Sequence, residues 1–406
     1  MTLVVQKYGG TSVADLARIR SVAARVKRHV EQGERVCVVV SAMAGTTNQL
    51  VAWVQELDPL CDPAEYDQVV SSGEQVTVGL LAIALRKAGV PARSFLGWQA
   101  GIATDDAHGK ARILRIDPEP LRRCLERGEV PVVAGFQGLG PDGRVTTLGR
   151  GGSDTSAVAL AAALRAERCD IFTDVDGVYT SDPRIVSRAQ KLARITYEEM
   201  LEMASVGAKV LQTRAVALAM RHKVRLQVLS SFTDVPGTLV VDEDEVVESQ
   251  VVSGIAYSRD EAKLSVVRVR DRPGVAAAIF GPLAEANINV DMIVQSVSRD
   301  GVHTNITFTV SRADLPRARA ILAELKDQVG FERVDADDEV VKVSVIGVGM
   351  RSHAGIAHRM FRTLADKGIN IQAISTSEIK ISVLIAEEYA ELALRALHQA
   401  YGLDRA

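Results

Sequence analysis

The sequence predicts an α/β domain followed by two copies of a small α+β unit. Short β-branched runs alternate with longer helical periodicities up to residue 240, which is typical of a sheet covered by helices. Beyond that point the chain repeats itself at a constant offset of 81 residues, as between Gly274 and Gly355. We expect domains at 1–240, 263–335 and 336–406, with a linker and the first strand of the repeat region at 241–262.

Apolar spacing predicts the first elements. Strands are expected at 3–6, 36–40, 130–134 and 171–173. Between the first two strands, apolar residues recur three or four positions apart from Val13 to Val30, with Arg and Lys between them. This pattern predicts an amphipathic helix that ends at Gly33. The acidic run 242–245, just after Pro236 and Gly237, indicates an exposed domain boundary.

The two repeats share the same order of elements. Each has a strand, a glycine-containing turn, a helix, a turn at Asn289 or Asn370, and a second strand at 290–296 or 371–375. This order predicts two βαββαβ units of the ferredoxin-like type.

Composition excludes several classes of protein. The 406 residues are 47% apolar and 24% charged, and the net charge is −3, so neither a nucleic acid nor an anionic membrane is expected as a partner. The cysteines lack the spacing of a zinc site or a disulfide framework, and we expect reduced, buried thiols: Cys37, Cys61, Cys124 and Cys169. We find neither a signal-peptide core nor about 18 consecutive apolar residues, so we expect a cytoplasmic protein.

Two glycine-rich segments have the chemistry to bind anionic ligands. The run 7–12, Lys-Tyr-Gly-Gly-Thr-Ser, lies between a strand and a helix, where glycines let a phosphate approach the main chain and Lys7 adds positive charge. In the run 147–154, glycines surround Arg150, whose guanidinium suits a carboxylate or phosphate. The helix after it should begin at Asp154, with Ser153 and Asp154 as caps. The first run alone is a weak signal, because any turn from a strand to a helix needs glycine. The second run is more specific, because a purely structural turn rarely places an arginine between glycines at a helix start.

A third polar segment, 173–184, follows a strand and carries carboxylates, one tyrosine and one arginine. It suits a nucleoside with metal-bound phosphates, although an ordinary Asp-, Gly- and Pro-rich turn has the same composition.

Taken in order, six motifs closely resemble the aspartate kinase family over essentially the whole chain: 7–12, 41–43 (Ser-Ala-Met), 72–74 (Ser-Gly-Glu), 135–138 (Gly-Phe-Gln-Gly), 148–154 and 173–184. The resemblance implies the amino-acid kinase fold, a parallel-rich sheet between helix layers, followed by two ACT domains. It also implies phosphorylation of the side-chain carboxylate of L-aspartate from ATP with Mg²⁺. The product would be 4-phospho-L-aspartate, the first step toward lysine (through diaminopimelate), threonine and methionine.

The resemblance also assigns residues by motif. Nucleotide contacts would come from Lys7, Tyr8, Gly9, Gly10, Thr173, Asp174, Tyr179, Arg184 and Lys209. Aspartate would be bound by Ser41, Thr47, Glu74, Arg150, Gly151, Gly152 and Ser153. The catalytic set would be Lys7, Arg150, Asp154 and Asp174, with no metal held by protein ligands alone. Asp154 has two interpretations: it orients a magnesium-bound water, or it only caps its helix.

Regulation follows from the same resemblance. Lysine, threonine or both would inhibit a homodimer or tetramer by binding near the repeats, through Asp271, Gly274, Ala276, Asn289, Val290, Asp291, Gln295, Asn370, Ile371 and Ser377. Some relatives add a short regulatory subunit from an internal start. Here 239–291 contains no methionine, so that subunit would need another start codon.

Two alternatives remain at this point. A kinase for glutamate, acetylglutamate or carbamate would share the fold and the first glycines, but not the whole motif set with the double repeat. A sensor without turnover would keep the repeats, yet it would not need Lys7, Glu74, Arg150 and Asp174.

Overall fold

The computed structural model describes residues 2–206, 210–245, 251–297 and 301–405. The chain forms two compact units, which we describe separately. The first unit covers Met1–Val178, Lys191–Ala204 and Lys209–Val247, and the second covers Tyr179–Gln190, Ser205–Ala208 and Glu248–Ala406.

The elements of the first unit alternate between strands and helices. In chain order they are β1 (Leu3–Tyr8), α1 (Leu16–Glu31), β2 (Arg35–Val40), α2 (Thr46–Leu57), α3 (Pro63–Val70), α4 (Ser72–Lys87), β3 (Ala92–Phe95), β4 (Ile102–Thr104), β5 (Ile113–Ile116), α5 (Glu119–Glu126), β6 (Val130–Ala134), β7 (Gln137–Leu139), β8 (Val145–Thr147), α6 (Gly152–Leu164), β9 (Arg168–Thr173), β10 (Arg194–Thr196), α7 (Tyr197–Ser205), α8 (Thr213–His222), β11 (Leu226–Ser230) and β12 (Thr238–Val241). The four strands and the first helix expected from the sequence are confirmed.

A large sheet in the order β10-β12-β11-β9-β1-β2-β6-β3 forms the middle of this unit. Its neighbouring strands are parallel except for the β11–β12 pair. Successive side chains of a strand point to opposite faces. Tyr8 therefore packs in the core cluster with α1 and α4, whereas Lys7 reaches α6 on the other face. The predicted parallel-rich sheet between helix layers is confirmed.

Helices α3 and α4 form a 25-residue run, Pro63–Lys87, that by length and composition alone could cross a membrane. Half of its most apolar window is buried in the fold. Leu81 and Leu85 belong to the core cluster against the sheet, and the run also carries the buried carboxylates of Asp67 and Glu74. The sequence expectation that nothing would resemble a span was therefore too strict, because a buried core helix meets the same criterion.

The second unit contains both repeats. Its elements are β13 (Gly254–Ser258), β14 (Ala262–Arg270), α9 (Val275–Glu285), β15 (Asp291–Val297), β16 (His303–Val310), α10 (Leu315–Val329), β17 (Arg333–Asp337), β18 (Val340–Ile346), α11 (Ile356–Asp366), β19 (Ala373–Thr376), β20 (Lys380–Ala386) and α12 (Ala390–Ala400). Gly274 and Gly355 are the N-caps of α9 and α11 with φ of 90° and 93°, in the left-handed region that favours glycine. The internal repeat is thus confirmed in backbone geometry.

The two antiparallel sheets have equivalent strand orders, β15-β16-β14-β17 and β19-β20-β18-β13. The first repeat is a continuous βαββαβ unit. In the second, β13 takes the position that β17 has in the first, antiparallel to the central strand β18. A strand from the 241–262 segment, which precedes the first repeat in the chain, therefore completes the second repeat.

The segment 179–190 also belongs to the second unit, although it lies within the α/β domain expected at 1–240. The Thr180 carbonyl accepts a hydrogen bond from Ile255 N of β13 at 2.8 Å. The Thr180 hydroxyl lies 2.9 Å from His398 Nε2 of α12. Arg395 of α12 donates to the Ile185 carbonyl. The second repeat therefore holds this segment directly.

Candidate active site and regulatory pocket

The carboxyl ends of four parallel strands meet at one edge of the large sheet. Tyr8 at the end of β1 is in register with Val40 of β2 and Phe172 of β9, and Val40 is in register with Ala134 of β6. In open parallel sheets, ligands bind in the crevice beyond these strand ends. The loops that follow these strands carry the predicted motifs.

The turn after β1 is packed closely against its neighbours. Gly9 N donates to the Phe172 carbonyl at 3.3 Å, and Ser12 N donates to the Gly9 carbonyl at 2.9 Å. A Cβ on Gly10 would lie 3.0 Å from the Ala42 carbonyl oxygen, so a larger residue would push the turn away from the loop after β2. Gly10 therefore lets this turn pack against the loop after β2, and neither Gly9 nor Gly10 places a side chain between the main chain and a ligand at the strand ends.

A buried ion pair lies at the same edge. Lys7 Nζ is 2.6 Å from Asp154 Oδ1, and the side chains are only 11% and 10% exposed. Helix α6 begins at Gly152, not at Asp154, and its N-cap is Gly151 with φ of 71°. Among the described residues, no side chain forms a capping hydrogen bond at this helix end. The capping interpretation of Ser153 and Asp154 is therefore wrong, and the Asp154 carboxylate instead holds the Lys7 ammonium.

Glu74 is an acceptor with unused capacity. It lies in the first turn of α4 and is 3% exposed. Oε1 accepts a hydrogen bond from Ala42 N at 3.0 Å, whereas Oε2 is buried and has no hydrogen-bond partner within the described part of the chain. Burial raises the pKa of Glu74 to about 7, and the Ala42 bond offsets only part of that rise. A cationic group placed at Oε2 would satisfy the oxygen and favour the ionised form.

The glycine-rich turn 147–154 lies against the loop after β6. Gly152 N donates to the Gly149 carbonyl at 2.9 Å, and a Cβ on Gly135 would lie 2.8 Å from Ser153 Cβ. The Arg150 side chain is exposed, and no carboxylate among residues 2–206, 210–245, 251–297 and 301–405 pairs with it. Its guanidinium is therefore available to an anionic ligand.

The remaining substrate and nucleotide candidates are spread over several loops. Ser41 follows β2, where its N donates to the Tyr8 carbonyl, and Thr47 lies in the first turn of α2. Thr173 ends β9, and its hydroxyl donates to Asp174 Oδ1 at 3.1 Å. Both Thr173 and Asp174 belong to the first unit.

Tyr179 and Arg184 belong to the second unit. The Arg184 guanidinium binds Asp182, with Nη2 2.7 Å from Oδ2, and the Arg184 side chain is 86% exposed. Lys209 lies outside the described residues.

An open pocket of about 440 Å³ lies in the first repeat, at the N-terminus of α9. Its lining includes the predicted effector residues Asp271, Gly274, Ala276 and Gln295, joined by Arg272, Pro273 and Val275. Sequence reasoning missed Arg272, although its position beside Asp271 in the turn before the helix was visible.

The other predicted effector residues lie elsewhere in the repeats. Asp291, at the start of β15, pairs with Lys342 of β18 at 2.8 Å, and Lys342 also pairs with Glu261 at 2.7 Å. Ser377 closes the turn between β19 and β20 through its N and the Lys380 carbonyl. Val290 and Ile371 pack against the core clusters of their repeats, and Asn289 and Asn370 are exposed.

Models of known protein families match both units of this chain. The amino acid kinase family model matches residues 2–230, and ACT domain models match residues 264–330 and 343–401. An aspartate kinase from Pseudomonas fluorescens is 56% identical over 100% of this chain and 98% of its own length. This chain belongs to the aspartate kinase family. It is therefore an ATP-dependent phosphotransferase with a carboxyl group as acceptor.

Two solved members of the aspartate kinase family show the same fold. Escherichia coli aspartokinase III in complex with aspartate and ADP (R-state) has a TM-score of 0.81 at 30% identity, over 98% of this chain and 99% of that one. The same enzyme in complex with lysine and aspartate (T-state) has a TM-score of 0.77 at 30% identity, with the same coverage.

The structure of this family member brings most predicted active-site residues to one sheet edge, including Lys7, Gly9, Gly10, Ser41 and Thr173 with the turn around Arg150. Four of the predicted effector residues line the α9 pocket, and the others lie elsewhere in the two repeats. Sequence reasoning also missed Asp67 and Arg214, whose bonds to the glycine-rich turn are described below. The signal for Asp67 is its complete burial, which only the structure shows.

Proposed function

We propose that this enzyme transfers the γ-phosphoryl group of MgATP to the side-chain carboxylate of L-aspartate, giving 4-phospho-L-aspartate as the first step toward lysine, threonine and methionine in the cytoplasm. The observation that best supports this substrate is Glu74 Oε2, a buried acceptor to which none of the residues that the structure describes donates a hydrogen bond. It suits the ammonium group of an amino acid. Arg150, at the turn before α6, suits a carboxylate of the same molecule.

In this proposal the two ends of aspartate are bound by opposite charges. Glu74 binds the ammonium group and Arg150 binds a carboxylate, while hydroxyl and main-chain groups complete the site: Ser41, Thr47, Gly151, Gly152 and Ser153. A neutral site would bind both charged ends less well, because charge-assisted hydrogen bonds are roughly twice as strong as neutral ones.

The nucleotide would lie on the adjoining loops. Lys7, Gly9 and Gly10 would face the phosphates, and the other contacts would come from Tyr8, Thr173, Asp174, Tyr179, Arg184 and Lys209. Magnesium enters with ATP as part of the substrate. The Asp154 carboxylate, 2.6 Å from Lys7, is the group that we propose to orient a magnesium-bound water.

The chemistry then requires little covalent help. The aspartate side chain, with an ordinary pKa of about 3.9, is already ionised at neutral pH, so it needs no general base. One carboxylate oxygen attacks the γ-phosphorus, and the bond to the β–γ bridging oxygen breaks to release ADP. Lys7 reduces the repulsion between the two anionic reactants and stabilises charge on the transferring group.

We also propose feedback inhibition by lysine, threonine or both, acting on a homodimer or tetramer. The E. coli relative was solved with lysine, which supports an amino-acid effector. The α9 pocket offers the helix N-terminus at Gly274 for a carboxylate and Asp271 for an ammonium group. We also propose domain boundaries at 240, 262 and 335. A short regulatory subunit from an internal start is a further proposal.

The substrate assignment is tested by trapping the acyl phosphate as its hydroxamate. The purified enzyme, incubated with MgATP and hydroxylamine, should form aspartyl hydroxamate from L-aspartate and much less product from L-glutamate, N-acetylglutamate or carbamate. Equal or better turnover with glutamate, or none with any acceptor, would reject the proposal.

A further inference from the structure

A fully buried carboxylate outside the proposed substrate contacts holds the start of the glycine-rich turn. Asp67 of α3 is 0% exposed. It accepts hydrogen bonds from Thr147 N at 2.9 Å, from Thr147 Oγ1 at 2.5 Å and from Gly109 N at 3.0 Å. His108 Nδ1 lies 2.9 Å from its Oδ2. Several donors thus converge on one carboxylate in the unit's interior.

A second, partly buried contact holds the next residue of the turn. Arg214 of α8 donates from Nη1 to the Leu148 carbonyl and from Nη2 to the Ala111 carbonyl, each at 2.9 Å. Ala111 N in turn donates to the Thr147 carbonyl at 2.9 Å. Asp67 and Arg214 therefore bind adjacent residues of the main chain through opposite groups, one as an acceptor and one as a donor.

These contacts end immediately before the two glycines that flank Arg150. Gly149 and Gly151, on either side of Arg150, adopt φ of 76° and 71°. Glycine has little conformational preference, so these residues do not fix the direction of Arg150 by themselves. The position of Thr147 and Leu148 before the turn, together with the start of α6 after it, must set that direction.

We propose that Asp67 and Arg214 are positioning residues for the acceptor substrate: they fix residues 147 and 148 so that Arg150 meets the carboxylate of aspartate. This inference rests on the proposed role of Arg150. Neither residue is among the proposed substrate contacts. A displacement of about 1 Å at a binding group can cost on the order of a hundredfold in rate, so small shifts of this turn matter.

The test compares Asp67→Asn with the matched control Asp62→Asn. Asp62 is the exposed N-cap of the same helix, and its side chain accepts a bond from Ala64 N that Asn can also accept. We expect Asp67→Asn to raise KM for aspartate about tenfold or more while KM for ATP changes less than about twofold. Asp62→Asn should leave both values unchanged.

Coupling to Arg150 separates positioning from general damage. If Asp67 acts through Arg150, the double variant Asp67→Asn with Arg150→Lys should lose much less than the product of the two single losses in kcat/KM for aspartate. Thr147→Val should reproduce the Asp67→Asn effect, and Thr147→Ser, which keeps the hydroxyl, should restore KM. If Asp67→Asn does not fold, comparing KM for aspartate in Thr147→Val and Thr147→Ser tests the positioning role instead.

The outcomes also separate this inference from the proposed site. If Arg150→Lys leaves KM for aspartate unchanged, the site assignment itself fails. If Arg150→Lys raises that KM but folded Asp67→Asn and Thr147→Val enzymes keep it, or raise both KM values equally, the positioning role is overturned alone. Losses that multiply in the double variant would overturn it as well.

Discussion

Replacing Glu74 by Gln should make the protein more stable and the enzyme less active. Gln keeps an oxygen that can accept the Ala42 hydrogen bond, but it removes the buried negative charge. In the proposed site that charge binds the ammonium group of aspartate. The same substitution therefore tests the substrate contact and the physical cause of the raised pKa.

The magnitudes follow from the pKa of Glu74, which burial raises from 4.5 to about 7. The folded protein binds this proton more tightly than the unfolded chain, so the free energy of unfolding falls as the pH rises from 4.5 through about 7. Above that range ionised Glu74 costs about 3 kcal/mol, since each pKa unit corresponds to about 1.4 kcal/mol. Glu74→Gln should recover up to about that amount at pH 8.

Activity should change in the opposite direction. A lost hydrogen bond to a charged group costs about 1.5–3 kcal/mol, which lowers kcat/KM for aspartate about 10- to 150-fold above neutral pH. In the parent enzyme only about a tenth of Glu74 is ionised at pH 6, so kcat/KM for aspartate should fall about tenfold per pH unit below 7. Glu74→Gln should lack this acid limb.

The assay is a pH profile of kcat/KM for aspartate at saturating MgATP, with denaturant unfolding at pH 8. Glu65→Gln, which changes an exposed carboxylate on α3, is the control and should keep the parent profile. A Glu74→Gln enzyme with the parent's pH profile, or with lower stability at pH 8, would refute the reasoning.

Three further predictions concern other sites. Lys7→Met should lower kcat far more than it raises KM for aspartate, because its charge matters most as the phosphoryl group transfers; a pure KM effect would contradict this. Asn289→Ala or Asn370→Ala should weaken inhibition by lysine or threonine, because each removes a proposed effector contact and so reduces a coupling free energy of about 1–3 kcal/mol between the effector and active sites. Uninhibited turnover should stay within about threefold, because neither residue belongs to the proposed active site. Burial lowers the pKa of His398 below its usual 6.5, so stability should decrease as the pH falls below 6.5, where the unfolded chain takes up the proton. Thermal unfolding of His398→Gln should show a flatter pH dependence, and an unchanged slope would contradict that account.

Local patterns predicted much of the fold. The period of the apolar residues located α1 and the buried strands, and the 81-residue offset located α9 and α11 with their glycine N-caps. Pairing between distant strands was not predictable in this way. Nothing local in 254–258 shows that β13 pairs with β18 of the second repeat and not with its neighbour β14, because that choice depends on which sheet has a free edge.

The candidate site shows the same division. Lys7 and Arg150 were predicted because each is a charged residue in a glycine-rich run. Glu74 was predicted from the motif order that resembles the aspartate kinase family. Of the two interpretations of Asp154, helix capping is wrong because Gly151, in the left-handed conformation, takes the N-cap position that Ser or Asp usually fills. Asp67 was missed since its importance comes from four donors, on His108, Gly109 and Thr147, that lie 40 or more residues away in the sequence.

The central claim is that Glu74 and Arg150 bind opposite ends of aspartate beside the Lys7–Asp154 pair. Its most direct test is an experimental structure of this enzyme with L-aspartate and MgADP. The account predicts the substrate ammonium within hydrogen-bond distance of Glu74 Oε2 and a substrate carboxylate paired with Arg150. Aspartate bound with its ammonium group away from Glu74, or with neither carboxylate on Arg150, would contradict it.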